Sequence, residues 1–350
     1  MDSKESIVTK GFLVKYNLML SPFPRWFIIF TLGLCGLIKN TRYLIPFLSS
    51  SFSSASKSIE FNTIRYAIYI VILLSRGVIV TFGLDWKAFA AYTEQLSRVE
   101  LDKDEESVKR IDRERRIKNC VCFFALLSYI MITISRSIPR IRMEVNYLFI
   151  LLNDIIILIS NFYLIYLIID LSICLKAAFR FINHHLEHFK ITSPNSMLPK
   201  LRQSRLLYSC AVRASQEAEK FARHYIAWCY FHFFLLSIVN IVEILSPKGV
   251  ESIAFVLFMA FDIINTGYLT LNLVAVNSVS TEGMEDLYEI SYDLKSYNLQ
   301  NENNLFLNRM LWQNVGFTFS NLFLINPNFI TSLLSFSLTI AIMIANFLYS

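Results

Sequence analysis

The chain is 350 residues long, 55% apolar and only 17% charged, with a positive mean hydropathy. A soluble protein of that length needs more charge to cover its surface, and 30 Phe against 9 Gly suits side chains packed in lipid better than a Gly-rich catalytic scaffold. The net charge of +6 would suit nucleic acid, but its distribution along the chain follows the orientation rule of membrane proteins instead.

The N-terminal twenty residues carry Lys4, Lys10 and Lys15 with no apolar core and cleavage site, so no cleavable signal peptide is expected. A bilayer core of roughly 30 Å takes about 20 apolar residues at helical rise. Seven windows meet or approach that length: 26–45, 61–83, 119–137, 147–171, 225–245, 252–275 and 327–348. The first is interrupted by Lys39 and Arg42. Only helices can span in this setting, because isolated strands leave unpaired amides in lipid.

Two connections are long and polar. The stretch 84–118 runs from an acidic cluster, Glu100–Glu106, into a basic one, Lys109–Arg116, and predicts a solvated helix continuing into the third span. The stretch 176–224 is basic and broken at Thr192-Ser-Pro-Asn-Ser196, which predicts helices projecting from the membrane. With the N-terminus placed in the cytoplasm, the inner segments hold 24 Lys and Arg against 8 outside. The expected fold is therefore all-α: a polytopic seven-transmembrane helix bundle, N-terminus cytoplasmic and C-terminus extracellular.

Charge inside a span is costly and faces protein or water. Arg76, Asp154, Glu243 and Asp262 qualify, with Asp170 near a membrane edge. They predict a polar cavity in the bundle with Arg76 paired to Asp154 or Asp262, or else a purely structural ion pair. Tyr69, Tyr129, Tyr163 and Phe258 are candidate lining aromatics, although in a chain this rich in Phe and Tyr such residues are more often packing. Arg76, Tyr129, Asp154 and Asp262 are the candidate ligand contacts.

Other motifs have plainer readings. His184-His-Leu-Glu-His188 has the spacing of an inverted zinc-protease helix, yet also that of a His-rich polar helix. Asn326-Pro-Asn-Phe-Ile330 resembles the NPxxY motif of G-protein-coupled receptors, but it opens the last helix instead of closing it. Asp112-Arg113 precedes the third span where a DRY motif follows it. The six cysteines form no CxxC pair. No phosphate loop, nucleophile elbow or carboxylate pair is present, so neither an enzyme nor a cofactor, metal or nucleic-acid partner is expected.

The C-terminal quarter is more informative. Residues 277–304 are polar and acidic, and Leu305–Leu324 reads as an amphipathic helix at the cytoplasmic face. In the last helix Ser332, Ser335, Thr339 and Asn346 recur at intervals of 3, 4 and 7, along one stripe. A hydroxyl stripe closed by an amide suits a water-filled pore. Hydroxyls bonded back to their own helix give the same pattern.

The last helix reads Thr339-Ile340-Ala-Ile-Met-Ile-Ala345-Asn346-Phe347, which resembles the signature of the insect gustatory receptor family: Thr-Tyr, five hydrophobic residues, Gln-Phe. Ile340 stands for the Tyr and Asn346 for the Gln. Gly316-Phe-Thr-Phe-Ser-Asn-Leu-Phe323 is similar to the family's stretch before its pore helix, and Lys15–Pro22 loosely resembles its short first helix. The resemblance implies a tastant-gated, non-selective cation channel, a homotetramer or a heterotetramer with related receptors, in the plasma membrane of a gustatory neuron's dendrite. It implies helices 1–6 (1–275) as the sensing bundle, 277–325 as a cytoplasmic anchor and 326–350 as the pore helix. Asn346 would form the constriction beside Phe347, Thr339 and Ile340 would set helix contacts and a hydrophobic gate, and Ser332 and Ser335 would continue the pore wall. The alternatives are a non-conducting coreceptor or scaffold of the same fold, and a G-protein-coupled receptor. An apolar, aromatic pocket with one ion pair would favour a bitter or hydrophobic ligand over a sugar.

Overall fold

The computed structural model of the chain describes residues 7–10, 23–53, 61–141, 146–187, 194–245, 253–294, 296–312, 315–325 and 327–349. Within them the apolar windows are helical throughout. After the short α1 (Ile7–Lys10), α2 runs as Phe23–Ile28, a π-helical stretch Ile29–Cys35, and Gly36–Ser53. Next, α3 comprises Phe61–Val78 and a second π-helical stretch, Ile79–Gly83. Then come α4 (Trp86–Ser97), α5 (Glu105–Ile141), α6 (Asn146–Glu187), α7 (Pro194–Leu245) and α8 (Ile253–Thr281). The chain closes with α9 (Met284–Asp293), α10 (Tyr297–Leu311), strands β1 (Thr318–Phe319) and β2 (Phe323–Leu324), and α11 (Pro327–Tyr349).

Among the described residues six segments are long and apolar enough to cross a membrane: Trp26–Ile45, Thr63–Gly83, Glu105–Ser135, Leu148–Glu187, Met197–Ile244 and Met259–Tyr292. In α11 the apolar stretch within the described residues is shorter, Thr331–Asn346. The fold is an all-α bundle of six long apolar helices and a shorter C-terminal one.

Length explains the bundle's shape. At 1.5 Å per residue, α6 and α7 are about 63 and 78 Å long, against a bilayer core of roughly 30 Å. The excess of both lies at the polar end, where 176–224 was expected to project. Pro194 opens α7, a position where a missing N–H costs nothing. The connection 84–118 behaves as expected in its second half, which is continuous with α5. Its first half forms α4, started by Asp85, whose side chain accepts the N–H groups of Lys87 and Ala88 at 3.0 and 3.1 Å. Ala88, Phe89, Tyr92 and Leu96 bury one face of α4, which packs on α7. Asp104 starts α5 and accepts the Ser107 N–H at 3.0 Å; burial pushes its carboxyl up, but the hydrogen bonds from Ser107 and Glu106 win and hold it below the usual range. Phe179, Tyr208, Phe221 and Phe306, all fully buried, carry the hydrophobic core of the bundle on into the helix extensions.

One expected element is corrected. Leu305–Leu324 is not a continuous helix: α10 ends at Leu311, and β1 and β2 pair antiparallel, Thr318 with Leu324 and Phe319 with Phe323. The backbone explains why. Gly316 has φ 122°, closed to residues with a Cβ, and Ser320 and Asn321 are both left-handed, as a tight hairpin requires. The hairpin is pinned to the bundle: Thr318 donates to Glu219 of α7 at 2.6 Å, the Gly316 N–H to Ser215 at 3.2 Å, and Asn277 to the Val315 carbonyl at 2.8 Å.

The polar end is locked by buried charge. Asp170 of α6 is 1% exposed and receives both Arg115 (Nε to Oδ1 3.1 Å, Nη2 to Oδ2 3.0 Å) and Lys118 from α5. Arg115 also donates to the Ile7 carbonyl at 2.7 Å, tying α1 down. One turn away Glu114 takes Lys176 and Arg180 at 2.8 and 2.9 Å, and Lys176 reaches Asn272 of α8 at 3.0 Å. Removing one member of such a cluster strands the others. Asp170→Asn should therefore destabilise the fold by about 3–5 kcal/mol and sharply lower the yield of monodisperse protein in fluorescence-detected size exclusion. A wild-type profile from that variant would show the cluster to be dispensable.

Candidate functional site

At the other end of the bundle the helices part around a cavity of about 810 Å³. Residues of α2, α3, α5, α6, α7 and α8 line it, including Arg76, Tyr129, Asp154 and Asp262. All four sequence-derived ligand contacts therefore share one cavity. Tyr69 lines it as well. Tyr163 packs against the core instead, and the side chain of Phe258 lies outside the described residues.

The predicted pairing is different. Arg76 bonds neither Asp154 nor Asp262. Asp154 is held by Lys39 of α2 at 3.1 Å, the charge that interrupted the first apolar window. Asp262 of α8 accepts the Tyr129 hydroxyl of α5. Glu243 of α7 faces Arg65 of α3 at 3.8 Å. Arg76, 6% exposed, lies 5.7 Å over the Trp228 ring, and its Nε and Nη2 have no hydrogen-bond partner. Trp228 is fixed by its indole N–H on the Ile72 carbonyl at 3.2 Å, and His232 stacks on it at 5.0 Å and 7° between planes.

These groups change the expected ligand chemistry. The cavity holds three acidic and three basic side chains together with Asn161, Asn240, Asn265, Thr133, Ser137 and Thr266. It is far more polar than a pocket with a single ion pair, and hydrogen-bonding ligands have ample partners there. The signal was hidden because each helix contributes only a few polar residues to an otherwise apolar segment. Lys39, Arg65 and Asn240 were among the residues sequence reasoning missed, and charge within an apolar window was the available sign for the first two.

The second candidate element is α11. Ser337, Ala341 and Ala345 recur every four residues and are buried against α7, where Ile238 and Val242 meet the two alanines. Small side chains let two helices approach closely. At 100° per residue, Ser332, Ser335, Thr339 and Asn346 fall on the opposite face, and all four are exposed. Ile340 is half-buried and packs beside the α7 contact, off that stripe. The side chain of Phe347 lies outside the described residues. Thr339 donates to the Ser335 carbonyl at 2.9 Å and Thr331 to the Asn328 carbonyl at 3.0 Å. Back-bonding therefore accounts for the hydroxyl protons of these two.

Of the other motifs, Pro327 opens α11 as expected, and Asn326 lies outside the described residues. Asp112 and Arg113 fall early in α5, before the apolar segment. His184 and His185 end α6 exposed; His188 lies outside the described residues, among which no three metal-ligating side chains gather.

Among the solved structures that resemble the chain are those of an insect olfactory receptor. The olfactory receptor OR5 from Machilis hrabei matches with a TM-score of 0.58 at 15% identity, over 91% of this chain and 87% of the receptor. The same receptor in complex with eugenol matches with a TM-score of 0.56 at 13% identity, over 90% and 87%. No protein-family model and no curated protein sequence matches. The chain thus shares the fold of this olfactory receptor through nearly its whole length.

The Lys39–Asp154 pair gives a direct check on the cavity. Lys39→Met should lower thermal stability by about 1–3 kcal/mol, since it leaves Asp154 half-buried without its cation. The double variant Lys39→Met/Asp154→Leu should recover most of that loss. A double-mutant cycle on the unfolding midpoint measures the coupling, and strict additivity would dissolve the pair.

Proposed function

We propose that the chain is a subunit of a ligand-gated cation channel of the insect chemoreceptor superfamily, on its gustatory branch. One observation carries the channel reading: among the described residues α11 makes its main packing contact with α7 and turns an exposed hydroxyl-and-amide stripe away from it. A membrane helix with a polar outward stripe needs water or polar neighbours on that side. A ring of four copies around an aqueous axis supplies both. In that assembly α11 makes the seventh crossing, the polar end with Asp170 is cytoplasmic, and the C-terminus is extracellular. The basic-residue distribution supports this orientation, and the fold likeness to an olfactory receptor supports the assembly class.

In this reading residues 1–275 sense the ligand, 277–325 form the cytoplasmic anchor and 326–350 the pore helix. The tastant enters the cavity from outside and touches Arg76, Tyr129, Asp154 and Asp262. The gustatory branch rests on the Thr339–Phe347 pattern. The eugenol complex of OR5 supports a small organic ligand for a bundle of this fold. Asn346, at the outer part of the stripe, forms the amide ring, with Phe347, Thr339, Ser335 and Ser332 below and beside it. Ile340 anchors α11 on α7. The protein works in the plasma membrane of a gustatory neuron's dendrite, as a homotetramer or with related receptors. The back-bonded hydroxyls of Thr331 and Thr339 favour the second reading, a non-conducting coreceptor of the same fold.

Ion flux separates the two. The chain reconstituted alone into liposomes should pass monovalent cations on ligand addition, and Asn346→Leu should cut the current at least about tenfold at unchanged surface expression, by removing the polar ring from a narrow passage. Unchanged conductance and selectivity in that variant would take Asn346 out of the pore. No flux from the wild type with any related subunit would leave the scaffold reading standing.

A further inference from the structure

Two of the acids that line the cavity have a cation: Lys39 serves Asp154 and Arg65 serves Glu243. At the polar end Asp170 and Glu114 each take two. Asp262 differs. Among the described residues its partner is the neutral Tyr129 hydroxyl, which donates to Oδ1, and no Lys, Arg or His pairs with it.

This acid is within reach of a ligand. Asp262 is half-buried, and its second oxygen, Oδ2, takes no hydrogen bond among the described residues and is not sealed from solvent. Leu269 and Leu273, two and three turns on along the same face of α8, are buried, while the neighbouring Ile263 and Ile264 are exposed. That face turns into the bundle, so the open surface of Asp262 belongs to the cavity. Aromatic rings stand beside it. Tyr129 meets Phe162 at 5.3 Å and Phe261 at 5.7 Å, and Phe162 stacks on Tyr166 at 5.9 Å. One turn along α8, Asn265 accepts the Tyr166 hydroxyl at 3.2 Å, which closes a frame of α5, α6 and α8 around the acid. Leu158, Ile165 and Met259 continue the wall as apolar surface.

A carboxylate at membrane depth with one neutral donor is undercompensated, and either a proton or a cation completes it. A metal ion would need several ligating side chains, and among the described residues no three gather. An ammonium group needs fewer: it makes a charge-assisted hydrogen bond to one oxygen and is attracted to the faces of aromatic rings. The cavity of about 810 Å³ has room for an organic body beside the charge. Resting on the reading of this cavity as the ligand site, we infer that the protein recognises organic ammonium ions, the charged nitrogen held on Asp262 Oδ2 beside Tyr129, Phe162 and Tyr166, with the apolar body along the cavity wall.

The test uses the full chain in nanodiscs of zwitterionic phosphatidylcholine at neutral pH, where alkylamines are protonated. 2-Phenylethylamine, hexylamine and cyclohexylmethylamine are titrated, each against the alcohol of the same skeleton, with ligand-induced thermal stabilisation as the readout. At least one amine should bind about tenfold or more tightly than its alcohol. Asp262→Asn keeps an acceptor for Tyr129 and removes the charge, and it should bring that ratio to about one. Asp262→Ser removes the charge in a smaller side chain and serves if the asparagine variant does not fold. Equal binding of amines and alcohols, a preference that survives the loss of the Asp262 charge, or no binding by any amine overturns the inference. Thr133→Trp, which fills the cavity from α5, separates the two claims, and Thr266→Phe does the same from α8 if that variant does not fold. If bound alcohols ignore the filling, the cavity is not the ligand site and the inference falls with it. If filling removes them while amines show no preference, only the ammonium specificity falls.

Discussion

A carboxylate taken out of water must find compensation, and Asp170 finds it in two cations from the neighbouring helix. Desolvation alone would make this aspartate one of the most expensive side chains in the molecule. Arg115 and Lys118 convert the cost into geometry: both must reach one carboxylate, so the rotation and the axial register of α5 against α6 are fixed together. The bonds from Arg115 to the carbonyls of Ile7 and Val8 and the chain Glu114–Lys176–Asn272 extend that constraint to α1 and α8. Tyr92 of α4 bonds the Leu171 carbonyl next door. Close packing at the polar end is what lets the same helices separate at the other end without loss of the bundle.

The separation creates a volume that lipid cannot fill and apolar side chains do not. Its lining follows from electrostatics more than from shape. Charges at membrane depth must be balanced locally, since no bulk water screens them. Lys39 with Asp154 joins α2 to α6, Arg65 with Glu243 joins α3 to α7, and Tyr129 with Asp262 joins α5 to α8. Each pair therefore bridges two helices, and together they hold the six walls at their distances. Arg76 makes no hydrogen bond to an acid and lies over the Trp228 ring.

Much of this was written in the sequence at the level of helices and little at the level of partners. Hydrophobic length revealed the spans, because the bilayer imposes one dimension on all of them. The stripe Ser332–Ser335–Thr339–Asn346 was visible for the same kind of reason, a single helix and a single period. Pairings such as Lys39–Asp154 join helices far apart in the chain, and no local pattern encodes which acid a given cation meets. Arg76 illustrates this: its charge was conspicuous, yet its proposed partners were already taken. The hairpin at 318–324 was missed for a different reason. Its apolar residues suit a helix, and the decisive signals were one glycine at φ 122° and the pair Ser320-Asn321, each of which is also ordinary in a loop. The π-helical stretches in α2 and α3 left no mark that composition could show.

The arrangement of α7 bears on how the two ends of the proposed mechanism communicate. Trp228, His232, Leu236, Asn240 and Glu243 follow one helical face and line the cavity. Ile238 and Val242, on the opposite face, meet Ala341 and Ala345 of α11. One helix thickness thus separates the cavity from the candidate pore wall. Farther along, Glu219 and Ser215 of the same helix hold the hairpin that leads into α11. Contacts this tight leave α7 little freedom to move alone: a rotation that changes the cavity must carry the alanine seam with it or break it. Packed interfaces with small residues on one side tend to have discrete arrangements instead of a continuum, and a ligand biases them only by its differential affinity. Arg76, stacked on a tryptophan of α7 itself, ties the cavity wall to the helix that carries the alanine seam.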